Sequence, residues 1–437
     1  MTTKRQFFGT DGVRGEAGAF LTAELATALG RAAAASLEAQ RPQVLIVRDT
    51  RESGPMLESA LAAGIAAAGG DALLGGVLPT PAAAILVKRL GFDLAAVVSA
   101  SHNPYRDNGI KFFSGLGTKL DDEAEAAMEA MIDAAPEAAE PGHVCELNGG
   151  LEDYLRALES AFPLDLSGQH VMLDCANGAT FEAAPAIFER LGATVETLAA
   201  EPDGRNINAG CGSTHLEHLA ERIVASEATI GFAFDGDGDR VLAVDGNGRT
   251  HDGDELIALA ARGMAARGEL AGGVAVTVMS NYGFHQAMEE AGIEVAITQV
   301  GDRYVLDELR ERGWALGGEQ SGHIIDTRFV ATGDGTAAAL ATMRELAGRE
   351  LAEVAPMEKL PQKLVNVEVA EREAIASASA VWEAVERESA ALEGRGRVLL
   401  RPSGTEPLVR VMVEAPSSDE ADAVCERLVT LVRQELT

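Results

Sequence analysis

Five short segments of this 437-residue chain carry side chains whose types and spacing suit chemistry. Asp235-Gly-Asp237-Gly-Asp239-Arg240 sets three carboxylates at alternate positions directly behind the apolar run Thr229 to Phe234. Their oxygens would converge on one hard cation, Mg²⁺ being the natural choice. A solvated acidic turn has no need of three acids in register behind a buried strand. An EF-hand loop is excluded by position, since the places that require Gly and Glu hold Arg240 and Gly246. Ser99-Ala-Ser101-His102-Asn103-Pro104 follows a second apolar run, Leu94 to Val98. That order displays Ser101 on a tight, Pro-terminated turn, where a nucleophile or phosphoryl carrier could stand. Serine-hydrolase chemistry would want G-x-S-x-G, and the chain has none. Lys111 lies in Asp107-Asn-Gly-Ile-Lys-Phe-Phe, close enough in sequence to supply charge or shuttle a proton.

The other three segments suit anions and sugar hydroxyls. Arg401-Pro-Ser403-Gly404-Thr405-Glu-Pro407, followed by Arg410, collects two guanidinium groups, two hydroxyls and accessible amides, the makings of a phosphate cradle. Gly317-Gly-Glu319-Gln320-Ser321-Gly-His323 offers a carboxylate, an amide, a hydroxyl and an imidazole between glycines, a set for the hydroxyl or amino groups of a sugar. Phe8-Gly-Thr-Asp-Gly-Val-Arg14-Gly puts Arg14 on a Gly-rich turn as a further phosphate contact. Neither G-x-x-x-x-G-K-[ST] nor G-x-G-x-x-G occurs, so nucleotide cofactors lack support.

These segments need rigid elements behind them. Short apolar runs alternate with amphipathic stretches, the pattern of βα units on largely parallel sheets covered on both faces. Strands are predicted at Val44–Val47, Leu94–Val98, Val171–Asp174, Thr229–Phe234, Val274–Val278 and Val295–Thr298. Helical spacing runs from Leu21 to Leu37 behind Thr22 as N-cap, and again over Asp121–Ala134. In open α/β sheets ligands sit beyond the carboxyl ends of strands, so three such loops imply one site assembled from several domains. After Pro361 the pattern changes. Leu364–Val369 and Val409–Glu414 alternate as antiparallel strands, with helices at Ala376–Leu392 and Glu420–Leu436, which reads as a separate α+β domain. Gly and Pro punctuation places the domains at 1–150, 151–250, 251–362 and 363–437.

A net charge of −32 leaves ample solubility and repels polyphosphate backbones and anionic lipid surfaces. No Lys/Arg-rich run offsets it, so no nucleic acid and no membrane is expected among the partners. A phosphorylated substrate must instead be met by a local cluster of cations and amides. Cys145, Cys175, Cys211 and Cys425 are scattered without a C-x-x-C pair and read as reduced thiols. No signal-peptide pattern and no bilayer-spanning run is present, so a cytoplasmic location is expected.

Taken together, the five segments resemble the α-D-phosphohexomutase superfamily and, within it, the bacterial phosphoglucosamine mutases. The resemblance runs from Phe8 to Val413 and rests on the wording of the motifs quoted above, with Gln320 and the continuous Tyr105–Phe113 segment favouring the glucosamine branch. It implies an α/β fold of four domains around a central cleft, three similar mixed α/β domains followed by a smaller α+β C-terminal domain. It implies Ser101 as a phosphoserine, and Mg²⁺ held by Asp235, Asp237, Asp239 and an oxygen of the Ser101 phosphate. Glu319 and Ser321 would bind sugar hydroxyls. Arg401, Ser403, Gly404, Thr405 and Arg410 would grip the phosphate not being transferred. Arg14, Lys111 and Arg240 would surround the reacting phosphoryl group, with Lys111 or His323 as acid/base.

The implied reaction interconverts glucosamine 6-phosphate and glucosamine 1-phosphate through a 1,6-bisphosphate, with glucosamine or glucose 1,6-bisphosphate as primer. The expected partner is a small-molecule sugar phosphate, and the expected assembly a homodimer. A phosphomannomutase or phosphoglucomutase would use the same groups on a neutral sugar. A metal-dependent sugar phosphatase would release phosphate, and a binding protein or sensor would have affinity without turnover.

Overall fold

The computed structural model describes residues 7–9, 11–132, 134–135, 138–370, 372–402 and 407–436. It separates into two compact units, residues 1–279 with 293–355, and residues 280–292 with 356–437. Ser403, Gly404 and Thr405 of the expected phosphate cradle lie outside the described residues.

The larger unit holds three sheets. The strands of the first are β1 (Val13–Glu16), β2 (Gln43–Arg48), β3 (Asp71–Val77), β4 (Leu94–Val98), β5 (Asp107–Ser114) and β6 (Val144–Glu146), in the order β1-β5-β4-β2-β3-β6. Four of them, β4, β2, β3 and β6, run parallel, and β5 and β1 add antiparallel to that edge. All five residues of β4 are buried, as expected of a strand with both faces covered. Helices Ala23–Ala35 and Gly54–Ala67 pack at backbone distance, because a Cβ on Gly30 would stand 2.1 Å from the Leu61 carbonyl and one on Gly64 2.0 Å from that of Thr27.

The second sheet comprises β7 (His170–Asp174), β8 (Thr194–Leu198), β9 (Ile230–Phe234), β10 (Val241–Asp245) and β11 (Thr250–His251), in the order β11-β10-β9-β7-β8. The third comprises β12 (Gly273–Thr277), β13 (Glu294–Thr298), β14 (Leu316–Gly318) and β15 (Ile324–Asp326), in the order β13-β12-β14-β15. In both, parallel pairs form the centre and an antiparallel hairpin closes one edge. Among the described residues no helix is long and apolar enough to cross a membrane.

The smaller unit is a three-stranded antiparallel sheet, β16 (Gln362–Glu368), β17 (Arg397–Pro402) and β18 (Leu408–Glu414), in the order β16-β18-β17. Helices Ser379–Ala391 and Ser418–Leu436 supply its core with Val381, Val385, Val424, Leu428 and Val432. Glu414, fully buried, accepts from Tyr282 N and Arg397 Nε, both at 2.8 Å, and so ties segment 280–292 to this sheet.

Two expectations change. Arg14 stands on strand β1 rather than on a turn, because β5 offers a full antiparallel ladder that pairs Arg14 with Gly109. The predicted helices end early, the first at Ala35 with Ser36 capping it and the second at Ala130 with Met131 capping it. Thr22 stands as the expected N-cap, accepting from Leu25 N, and Asp121, expected inside its helix, caps it instead by accepting from Ala124 N.

Candidate active site

Strand β4 ends at Val98, and the chain turns at once through Ser101, whose φ of 52° lies in the left-handed region that non-glycine residues seldom occupy. A buried guanidinium holds it there. Arg51, fully inaccessible, donates to the carbonyls of Ser101 (2.9 Å), Asn103 (2.8 Å) and Asp107 (2.9 Å) and to that of Pro104, while its Nε meets Asp49 at 2.8 Å. Asp49 also accepts from Ser99 Oγ at 2.6 Å, and Ser99 Oγ in turn accepts from Ser101 N at 3.0 Å. Sterics add to the clamp, since a Cβ at Gly236 would stand 2.5 Å from the Ser101 carbonyl.

Strand β9 delivers the aspartates to the same point. The Ser101 hydroxyl donates to Asp235 Oδ2 at 2.5 Å. Asp235, Asp237 and Asp239 are buried, with ligand oxygens all within 4.8 Å of one another. Burial first, then repulsion from Asp239 and Asp237, pushes the Asp235 carboxyl well above the usual carboxylate range. Asp237 Oδ1 and Asp239 Oδ1 are buried without a hydrogen-bond partner. Crowded, repelling oxygens with open lone pairs are the donor set of a hard divalent cation, so these residues fit Mg²⁺.

Lys111, on β5, is buried rather than exposed. Its ammonium lies 2.6 Å from Asp237 Oδ2 and 3.7 Å from Asp239 Oδ2, and Thr80 Oγ1 donates to Asp237 Oδ2 at 2.6 Å. Burial opposes the charged form of Lys111, but Asp237, Asp11 and Asp239 hold it protonated above the usual lysine range. Arg240 N donates to Asp235 Oδ1 at 3.1 Å, and its guanidinium lies 3.9 Å from Asp239.

The loop between β14 and β15 brings the sugar-binding candidates. Glu319 Oε1 accepts from Gly301 N at 3.0 Å. His323 is buried, its Nδ1 3.6 Å from Asp239 and its Nε2 accepting from Gly333 N at 3.0 Å. Ser101, Arg14, Asp239, Arg240, Glu319 and His323 all line one cleft of about 490 Å³, room enough for a sugar bisphosphate. Ser321 is exposed and does not line it. In the smaller unit Arg401 and Arg410 are direct cross-strand partners on β17 and β18. Burial and the neighbouring Arg410 lower the proton affinity of Arg401. Like charges placed opposite each other favour an anion between them.

Sequence reasoning missed several residues of this neighbourhood. Asp11, Lys119, Asp302 and Arg303 line the cleft, and Arg51 builds its reactive loop. Asp302-Arg303 follows β13 through Gly301, the same strand, glycine, charge order that marked the other loops.

Comparison with known proteins bears on what this cleft is. Family models described as Phosphoglucomutase/phosphomannomutase match in order: alpha/beta/alpha domain I over residues 5–139, domain II over 152–248, domain III over 252–364 and the C-terminal domain over 364–431. The phosphoglucosamine mutase of Desulforudis audaxviator is 49% identical over 439 residues, covering 98% of both chains. That of Moorella thermoacetica is 50% identical over 432 residues, covering 96% of this chain and 97% of its own. The chain belongs to the phosphoglucosamine mutase family. Its fold matches a crystal structure of a phosphoglucomutase/phosphomannomutase family protein from Burkholderia thailandensis with a TM-score of 0.83 at 25% identity, over 100% of this chain and 98% of that one. Membership makes this an α/β protein of four domains, in a family of phosphohexomutase enzymes, which are isomerases.

Proposed function

We propose that this chain interconverts glucosamine 6-phosphate and glucosamine 1-phosphate, with Ser101 carrying a phosphoryl group between the two sugar hydroxyls. The observation that carries the reading is the Ser101 hydroxyl, held at 2.5 Å against Asp235 on the wall of a cleft that also presents Arg14 and Arg240. A phosphoryl group on Ser101 would enter among these cations, and catalysis of its transfer needs little beyond positioning and charge neutralisation. Asp235, Asp237, Asp239 and an oxygen of the Ser101 phosphate would hold Mg²⁺, which when bound neutralises charge on the transferring group.

In the forward half, the C1 hydroxyl of glucosamine 6-phosphate attacks the phosphorus on Ser101. The O1–P bond forms and the bond to Ser101 Oγ breaks; the hydroxyl proton passes to a base of the site, for which His323 is the candidate, while Lys111, held protonated, is the candidate acid that gives the leaving Ser101 Oγ its proton. The 1,6-bisphosphate then reverses its orientation in the cleft. Ser101 Oγ takes the phosphoryl group from O6 and returns its proton to the acid that supplied it, while the proton held by the base passes to O6. A trace of glucosamine or glucose 1,6-bisphosphate would load Ser101 at the start. Glu319 would orient the sugar, while Arg401 and Arg410, with Ser403, Gly404 and Thr405, would take the phosphate at rest. The working domains are then 1–150, 151–250, 251–362 and 363–437, in a cytoplasmic enzyme acting as a homodimer.

The test is turnover of glucosamine, glucose and mannose 6-phosphates side by side, with Mg²⁺ and a trace of glucose 1,6-bisphosphate. A kcat/KM for the amino sugar at least about tenfold above the neutral hexoses, about 1.4 kcal/mol of differential transition-state binding, is expected. Preference for a neutral hexose would retain the phosphoserine and discard the substrate.

A further inference from the structure

Charges of alternating sign run along the cleft wall from Arg14 to Asp302. The Arg14 guanidinium bonds Asp11, and Asp11 Oδ1 lies 2.6 Å from the ammonium of Lys119. Lys119 reaches Asp302 Oδ2 at 2.5 Å, and the same oxygen lies 3.6 Å from Nε2 of His323. The run starts at Arg14, a group of the proposed reaction, and ends at Asp302, whereas Lys119 between them has no part in that reaction. Lys119 stands in the segment matched as domain I and Asp302 in that matched as domain III, 183 residues later.

Two carboxylates facing each other in a half-buried wall repel unless a cation lies between them. Asp11 and Asp302 hold Lys119 in its charged form well above the ordinary lysine range, although burial opposes it. One residue further on, Arg303 fastens the same junction, bonding Asp122, Glu125 Oε2 at 3.3 Å and the Leu120 carbonyl at 3.3 Å. The residue before Asp302 carries the effect onward, since Gly301 N donates to Glu319.

We propose that Lys119 is a positioning residue: through Asp11 it fixes Arg14, and through Asp302 it fixes the segment whose Gly301 N holds Glu319 of the sugar-binding loop. The serine-bearing and sugar-binding parts of the site thereby keep their working separation. This rests on the function proposed above. A shift of about 1 Å between reacting groups costs on the order of 100-fold in rate, so the effect belongs in kcat.

The test uses the full chain with Mg²⁺ and glucose 1,6-bisphosphate. Lys119→Met, which keeps the aliphatic stem and removes the charge, is expected to lower kcat about 100-fold while KM for glucosamine 6-phosphate moves less than about threefold. Lys119→Arg, which can bridge the same carboxylates, is expected to recover at least about tenfold of that loss. Spin labels at exposed Leu116 and Ile297, introduced as Leu116→Cys and Ile297→Cys after Cys145→Ser removes the exposed native thiol, give a readout independent of turnover. Their distance distribution is expected to broaden in Lys119→Met and to stay narrow in Lys119→Arg. Unchanged kcat and unchanged distances in Lys119→Met would overturn the proposal. So would a fall in kcat with distances unchanged, since Lys119 would then act on substrate directly. Broadened distances in a protein whose wild type turns over no sugar phosphate would support the junction and sink the proposed function instead.

Discussion

Replacing Ser101 by alanine is expected to abolish turnover, by at least about 10⁴-fold, while circular dichroism and melting stay close to wild type. Both residues carry a Cβ, so the left-handed backbone at φ 52° is no more strained in the variant. What disappears is one hydroxyl, its phosphoryl-accepting oxygen, the hydrogen bond to Asp235 Oδ2 and a 3.3 Å contact with His102 Nδ1. Loss of that bond costs about 1 kcal/mol, too little to unfold a chain of this size. The clamp survives as well, because Arg51 and Ser99 contact only the backbone of residue 101. Initial rates on glucosamine 6-phosphate with primer make the comparison. Near-normal rates would remove Ser101 from the reaction.

The second large effect concerns the aspartates. Chelation of divalent metal is expected to lower turnover at least about 10³-fold, with recovery on adding Mg²⁺, and Asp237→Asn to lower kcat about 100-fold and raise the Mg²⁺ required. The reasoning starts from repulsion. Three buried carboxylates within 4.8 Å of one another, one with its proton affinity driven up, are incompletely neutralised by Lys111 and Arg240. Mg²⁺ should therefore also stabilise the fold, by about 2.7 kcal/mol at one hundred times its dissociation constant. Melting curves with and without Mg²⁺ read this independently of catalysis, and the increment should shrink in Asp237→Asn. A wild-type melting temperature indifferent to Mg²⁺ would contradict the assignment.

Much of this was legible before any coordinates. Leu94–Val98 was placed to the residue, and the aspartate loop followed its strand because a buried apolar run ending in Gly and Asp has few other meanings. What stayed hidden has physical reasons. Strand β3, Asp-Ala-Leu-Leu-Gly-Gly-Val, lies inside an Ala- and Gly-rich stretch and has Val77 as its one β-branched residue, too few for a strand to be read. Arg51 carries no local signal, since the four carbonyls that bury it converge only after the loop from Ser101 to Asp107 has folded over it. Lys119 and Asp302 carry no shared local signal across 183 residues, and ion pairing between distant segments leaves no periodicity to find. Arg14 kept its place beside the cleft but changed its element, because ladder partners on β5 outweigh the turn preference of its flanking glycines.

The central claim is that Ser101 hands its phosphoryl group to a sugar and not to water. Protein labelled on Ser101 with ³²P from glucose 1,6-bisphosphate, freed of excess label and mixed with glucosamine 6-phosphate in a single turnover, tests it most directly. The account predicts label in glucosamine 1,6-bisphosphate and then in the sugar monophosphates, with little as inorganic phosphate. Label released chiefly as inorganic phosphate, at a rate matching loss from the protein, would make this a phosphatase and contradict the account.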